Sequence, residues 1–137
     1  MRKFLMENYD NLDKLTAVVL MLLFISILFV SYAINKENYK KIVKLYEKRF
    51  GCLPEMARLA RDASLLAISG YHAKVGFIMG SLILPYNRVT NHDMSIEAYN
   101  FIRNLPGELT TGFKVEAILW ILSTFNFLLI IFIEIMI

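Results

Sequence analysis

Charged residues stop twice along this chain, and the two gaps set its class. No Asp, Glu, Lys or Arg lies between Lys14 and Lys36, and none lies between Glu116 and Glu134. Each gap is close to the roughly 20 residues with which a helix crosses a hydrocarbon core of about 30 Å. The pattern predicts an all-α membrane protein with two transmembrane helices, over residues 15–35 and 113–137. Residues 1–14 read as a polar N-terminal tail, with Phe4, Leu5, Tyr9 and Leu12 spaced along one side of a helix.

The segment between the runs alternates in helical periods. In 36–50, Tyr39, Ile42, Val43, Tyr46 and Phe50 fall on one face, and Lys36, Lys40, Lys41, Lys44, Lys48 and Arg49 cover the rest. This is a basic amphipathic helix, and Gly51 suits its C-terminal stop. Directly after a span, such a helix fits a membrane surface, its lysines reaching acidic headgroups. The plainer reading is a solvated charged face whose apolar side packs on the rest of the protein.

Residues 53–84 read as a helical hairpin. Pro54 opens its first helix. Its second half, from Ser64, is mostly apolar but holds His72 and Lys74, so it is predicted as re-entrant or as a marginal third span. A lysine at the centre of a membrane helix costs about 2.5–3.5 kcal/mol on insertion scales, unless it faces protein or water. Ser69, Ala73, Gly76 and Gly80 form a small-residue stripe of the kind that lets membrane helices approach closely. Residues 85–112 read as a loop with one short helix, capped by Ser95 and stopped at Asn104-Leu105-Pro106-Gly107. Thr110 or Thr111 is the expected cap of the last helix.

Lysine and arginine placement orients the chain. The tail carries Arg2, Lys3 and Lys14, residues 36–49 carry six basic residues, and nothing basic follows Lys114. The excess of positive charge places the middle segment in the cytoplasm. The first run is longer than a signal-peptide core and follows Glu7, Asp10 and Asp13, so it is read as a retained span. Antiparallel pairing of the two runs sets Lys14 level with Glu134, as an interfacial ion pair, and Tyr32 level with Glu116. Asn126, flanked by Ser123 and Thr124, needs a hydrogen-bond partner inside the second run. A partner subunit or the first span would supply it.

Candidate chemistry is sparse in these 137 residues. His72, His92, Asp93 and Cys52 match no zinc or nucleophile pattern. A single cysteine excludes an intrachain disulfide, and Cys52 is expected to pack as a small apolar group. No catalytic, cofactor or metal residue is assigned, and the basic stretch beside a span favours lipid over nucleic acid. The expected partners are membrane lipid, other membrane-protein subunits or further copies of the chain.

These readings point to a small non-enzymatic protein of the bacterial inner (plasma) membrane. The leading expectation is an accessory subunit or regulator of a larger assembly for secretion, transfer or transport. Its contacts would run through Ser69, Ala73, Gly76, Gly80, Ser123 and Asn126. The alternatives are a homo-oligomeric transport or pore-forming subunit built around His72 and Lys74, and an immunity or exclusion protein.

Overall fold

Helix occupies nearly every position of the first fifty. In the computed structural model, which describes residues 2–59, 74–88, 91 and 93–136, α1 spans Arg2–Phe29. A π-helical turn, Val30–Asn35, joins it to α2, Lys36–Phe50. Helical geometry is kept through the junction, where Phe29, Asn35 and Lys36 all lie in the right-handed region. The tail expected over 1–14 is thus helix from Arg2 onward, continuous with the apolar run.

Gly51 ends α2 in the left-handed conformation, φ +78°, and its N–H bonds to the Glu47 carbonyl. Only glycine enters that region without a steric cost. Glu55–Leu59 forms α3, and the Arg58 N–H returns to the Pro54 carbonyl. A second π-helical segment, Lys74–Met79, runs into α4, Gly80–Ile83. Ser95 caps α5, Ile96–Arg103, its hydroxyl accepting from the Ala98 N–H. The last helix, α6, spans Gly107–Met136.

The last helix starts earlier than Thr110 or Thr111. Pro106 closes the first turn through the Leu109 N–H. The two threonine hydroxyls bond back to the Pro106 and Gly107 carbonyls, so they lie inside the helix rather than at its cap. No strand occurs among the described residues. Two helical stretches, Met6–Phe50 and Gly107–Ile135, are long and apolar enough to cross a membrane. Only 17% and 11% of their most apolar windows are buried, whereas the core helix of a soluble protein would be mostly buried.

The chain forms two compact units. The first joins residues 1–28 to 117–137. Here Phe24 and Trp120 meet edge to face at 5.9 Å, and the Tyr9 hydroxyl donates to Glu134 at 2.5 Å. These contacts set an antiparallel register in which Tyr9, not Lys14, faces Glu134. Glu134 in turn pushes the Tyr9 hydroxyl up to about 12, mainly through that hydrogen bond. Two helices bury only a narrow seam, including Thr16, Ile27, Ser123 and Ile133. Large side chains such as Leu22, Ile25, Phe125 and Leu128 stay exposed.

The second unit, residues 29–116, holds a mixed core. Tyr39, Ile42 and Tyr46 of α2 are buried, with Phe77, Ile78, Ala98 and Ile102. Tyr46 meets Phe77 at 5.0 Å and Phe101 at 6.0 Å, both edge to face, an arrangement that ring quadrupoles favour. The Tyr99 hydroxyl donates to the Leu84 carbonyl at the end of α4, and the Tyr86 hydroxyl to the Met94 carbonyl. These bonds fasten the loop between α4 and α5.

Candidate functional site

Four polar side chains converge inside the second unit. The Lys74 ammonium lies 2.6 Å from one Glu116 oxygen, and both side chains are 1% exposed. It also donates to Ser31 Oγ at 2.5 Å. The Asn35 amide donates to the other Glu116 oxygen at 2.6 Å. Ser31 and Asn35 are themselves buried.

Local structure explains the convergence. Ser31 and Asn35 lie four apart on the first π-helical turn, and Lys74 is the first residue of the second. A π turn inserts an extra residue and shifts the helix face, which is why such turns recur where side chains must be re-aimed. On α6, Gly112 and Glu116 are also four apart and present one face to Asn35. A β-carbon at Gly112 would lie 2.7 Å from Ile34 Cγ2 and closer still to Asn35 Oδ1, so any larger residue there must displace those side chains.

The cluster balances its own charge. Taking one charge out of water costs several kcal/mol, and a partner offsets this only with good geometry and satisfied hydrogen bonds. Both Glu116 oxygens are paired, and two of the three ammonium donors are used. The described cavities lie elsewhere, along Met6–Lys14 and beside Arg49. The arrangement joins three segments distant in sequence. Among the described residues, no three His, Cys, Asp or Glu side chains gather as a metal would require.

Of the residues singled out by sequence, Lys74 enters this cluster. Ser69, His72, Ala73 and His92 lie outside the described residues. Gly80 is buried, but a β-carbon at Gly76 would meet nothing within 4 Å, so no close helix contact forms there among the described residues. Ser123 is buried, yet its hydroxyl bonds to Leu119 on its own helix. Asn126 is half-buried, and its side-chain oxygen meets no hydrogen-bond donor among the described residues. Cys52 is an exposed free thiol rather than a packed group, because it sits in the turn after Gly51.

Lys36, Lys40, Lys41, Lys44, Lys48 and Arg49 are all exposed. Lys40 pairs with Glu37 at 2.8 Å and holds that carboxyl below its ordinary range, first through the hydrogen bond and then through charge. On the opposite face of α2, Tyr46 packs against Phe77 and Phe101. Residues 29–50 stay helical without a break.

Sequence reasoning missed Ser31, Asn35, Gly112 and Glu116. A signal was present: Ser31 and Asn35 extend the Tyr39–Ile42–Tyr46 face backwards in steps of four, and an intramembrane lysine demands a counter-charge. No family model, curated protein or solved structure matches the chain.

Proposed function

We propose that the protein is a small, non-enzymatic integral membrane protein that serves as an accessory subunit or regulator of a larger membrane assembly, of the kind that carries out secretion, transfer or transport. Its membrane would be the bacterial inner (plasma) membrane, with the middle segment cytoplasmic. One observation carries the reading: Lys74 and Glu116 neutralise each other at 1% exposure. The charges that a pore or a reaction would use are spent inside the chain. The exposed apolar faces of α1 and α6 suit lipid or other spans, and the exposed polar surface belongs to α2 and α5. The lysines of α2 keep their reach to acidic headgroups.

Purification of the tagged protein in mild detergent, with mass and partner identification, tests this. A stoichiometric second protein is the expected result. Recovery of the chain alone, at a defined multiple of 15.9 kDa, would overturn it in favour of a homo-oligomeric pore. A partner present only during attack by a toxin or incoming channel would favour an immunity or exclusion role.

A further inference from the structure

We infer that the groove between the end of α2 and the outer face of α5 binds an extended segment of a partner protein that carries a carboxylate and, a few residues away, a cation. The inference rests on the accessory-subunit reading and names the surface through which it would act.

The groove has a volume of about 640 Å³ and is lined by Arg49, Glu97, Asn100, Phe101, Asn104 and Leu105. That falls in the roughly 300–1,000 Å³ range of ligand sites. Arg49 is held over two rings, Phe50 at 5.8 Å and Phe101 at 5.5 Å. Those rings meet each other at 5.5 Å and rest against Tyr46. Cation–π contact with the two rings keeps the guanidinium at the groove, and its N–H groups can still serve an acceptor. Among the described residues no carboxylate takes them. Arg103 differs, since its guanidinium donates to the Tyr99 hydroxyl.

Glu97, Asn100 and Asn104 stand at i, i+3 and i+7, one side of α5 and its C-terminal cap. All three are exposed, and neither carboxamide makes a hydrogen bond to another described residue. A carboxamide offers both donor and acceptor, as a peptide unit does. Positions four apart on a helix are about 6.0 Å apart along its axis. Equivalent backbone groups of an extended chain repeat every ~6.6 Å. Asn100 and Asn104 therefore match alternate peptide units of a strand laid along α5. Phe101 and Leu105 give its side chains an apolar floor.

Charge narrows the occupant. Arg49 calls for a carboxylate, either an acidic side chain or a chain terminus, and Glu97 calls for a cation. A nucleic acid brings repeated phosphates against Glu97, and a lipid brings acyl chains for which this polar groove has no slot.

The test places a photo-crosslinking benzoylphenylalanine at Leu105 of the full-length protein in producing cells, with Lys41 of α2 as the control position. Adducts are sequenced for the wild-type background, for Arg49→Glu, and for the Asn100→Ala/Asn104→Ala pair. The expected adduct from position 105 is a protein segment with Asp, Glu or a C-terminal carboxylate within a few residues of the crosslink. Its yield falls at least tenfold in Arg49→Glu and several-fold in the double variant, at unchanged membrane level. Replacing the partner's carboxylate by lysine restores the adduct to Arg49→Glu. An undiminished yield in Arg49→Glu, a segment without a carboxylate, or an adduct to lipid, nucleic acid or a second copy overturns the assignment. Detergent co-purification separates the two readings. A partner recovered equally with wild type and Arg49→Glu sinks the groove and leaves the accessory role standing. Wild-type protein that brings down nothing and forms no adduct sinks both.

Discussion

The side-chain oxygen of Asn35 occupies the space that a β-carbon on Gly112 would fill. That oxygen is buried and has no hydrogen-bond donor among the described residues. The amide hydrogens of Asn35 are left aimed at Glu116. A glycine on α6 thus sets the orientation of an amide on the first helical rod, and that amide holds the carboxylate of the ion pair.

Gly112→Ala should therefore act on the ion pair as well as on packing. The added methyl displaces Asn35, and overpacking of this kind costs about 1–3 kcal/mol. The thermal midpoint in detergent checks this. In an Asn35→Ala background the same change should cost less than half as much, because Ile34 can turn its side chain aside. Equal costs in both backgrounds would falsify the coupling.

Removing one partner of the ion pair should be worse than removing both. Lys74→Met or Glu116→Gln alone strands a buried group, at a cost of about 3–5 kcal/mol where a full charge is left. The double variant Lys74→Met/Glu116→Gln should recover part of the loss, since no full charge is left buried and the glutamine carbonyl still accepts from the Asn35 amide. Resistance to limited proteolysis and steady-state membrane level report the order. A double variant as poor as its singles argues for a role of the charges beyond holding the segments together.

Gly51 offers the contrasting case. A β-carbon there meets nothing within 4 Å, but φ is +78°. Gly51→Ala pays only for backbone conformation, about 1 kcal/mol, and Gly51→Asn should cost less. Both should leave the Lys74–Glu116 pair intact, visible as unchanged protease protection of the 74–116 region.

Alkaline pH should weaken the second unit through Tyr39. Burial pushes its hydroxyl up to about 12, above the ordinary 10. The folded state binds the proton more tightly, so this stabilisation is complete below pH 10 and is lost as pH rises toward 12. Tyr39→Phe should flatten that limb of the stability curve. Because the Tyr39 hydroxyl is buried without a partner among the described residues, the substitution should not destabilise the protein at pH 7. A loss at pH 7 would mean that the hydroxyl has a partner, such as an ordered water.

Short-range grammar was readable from the chain. The two charge-free runs, the Tyr39–Ile42–Tyr46 face, the Gly51 stop, Pro54 and the Ser95 cap each depend on neighbours within one or two helical turns. The polar cluster was not, because its members come from positions 31, 35, 74 and 116 and meet only after folding. Glu116 looked like the border of an apolar run, and Gly112 like a helix start. Two small helix irregularities decide which face Ser31, Asn35 and Lys74 present, and no residue type announces a π turn. Gly76 illustrates the converse: despite a spacing that suggests close approach, a β-carbon there finds no atom within 4 Å among the described residues.

Lys74 is separated from its counter-ion by 42 positions, so the two are not synthesised together. At the usual pace of translation Glu116 follows Lys74 by about 2–8 s. Over that interval the ammonium lacks the carboxylate it pairs with in the folded chain, and burying it alone would cost several kcal/mol. Assembly of the middle of this protein is timed by the arrival of its last helix. The chain commits its first apolar run early and settles its interior only when the final one is made.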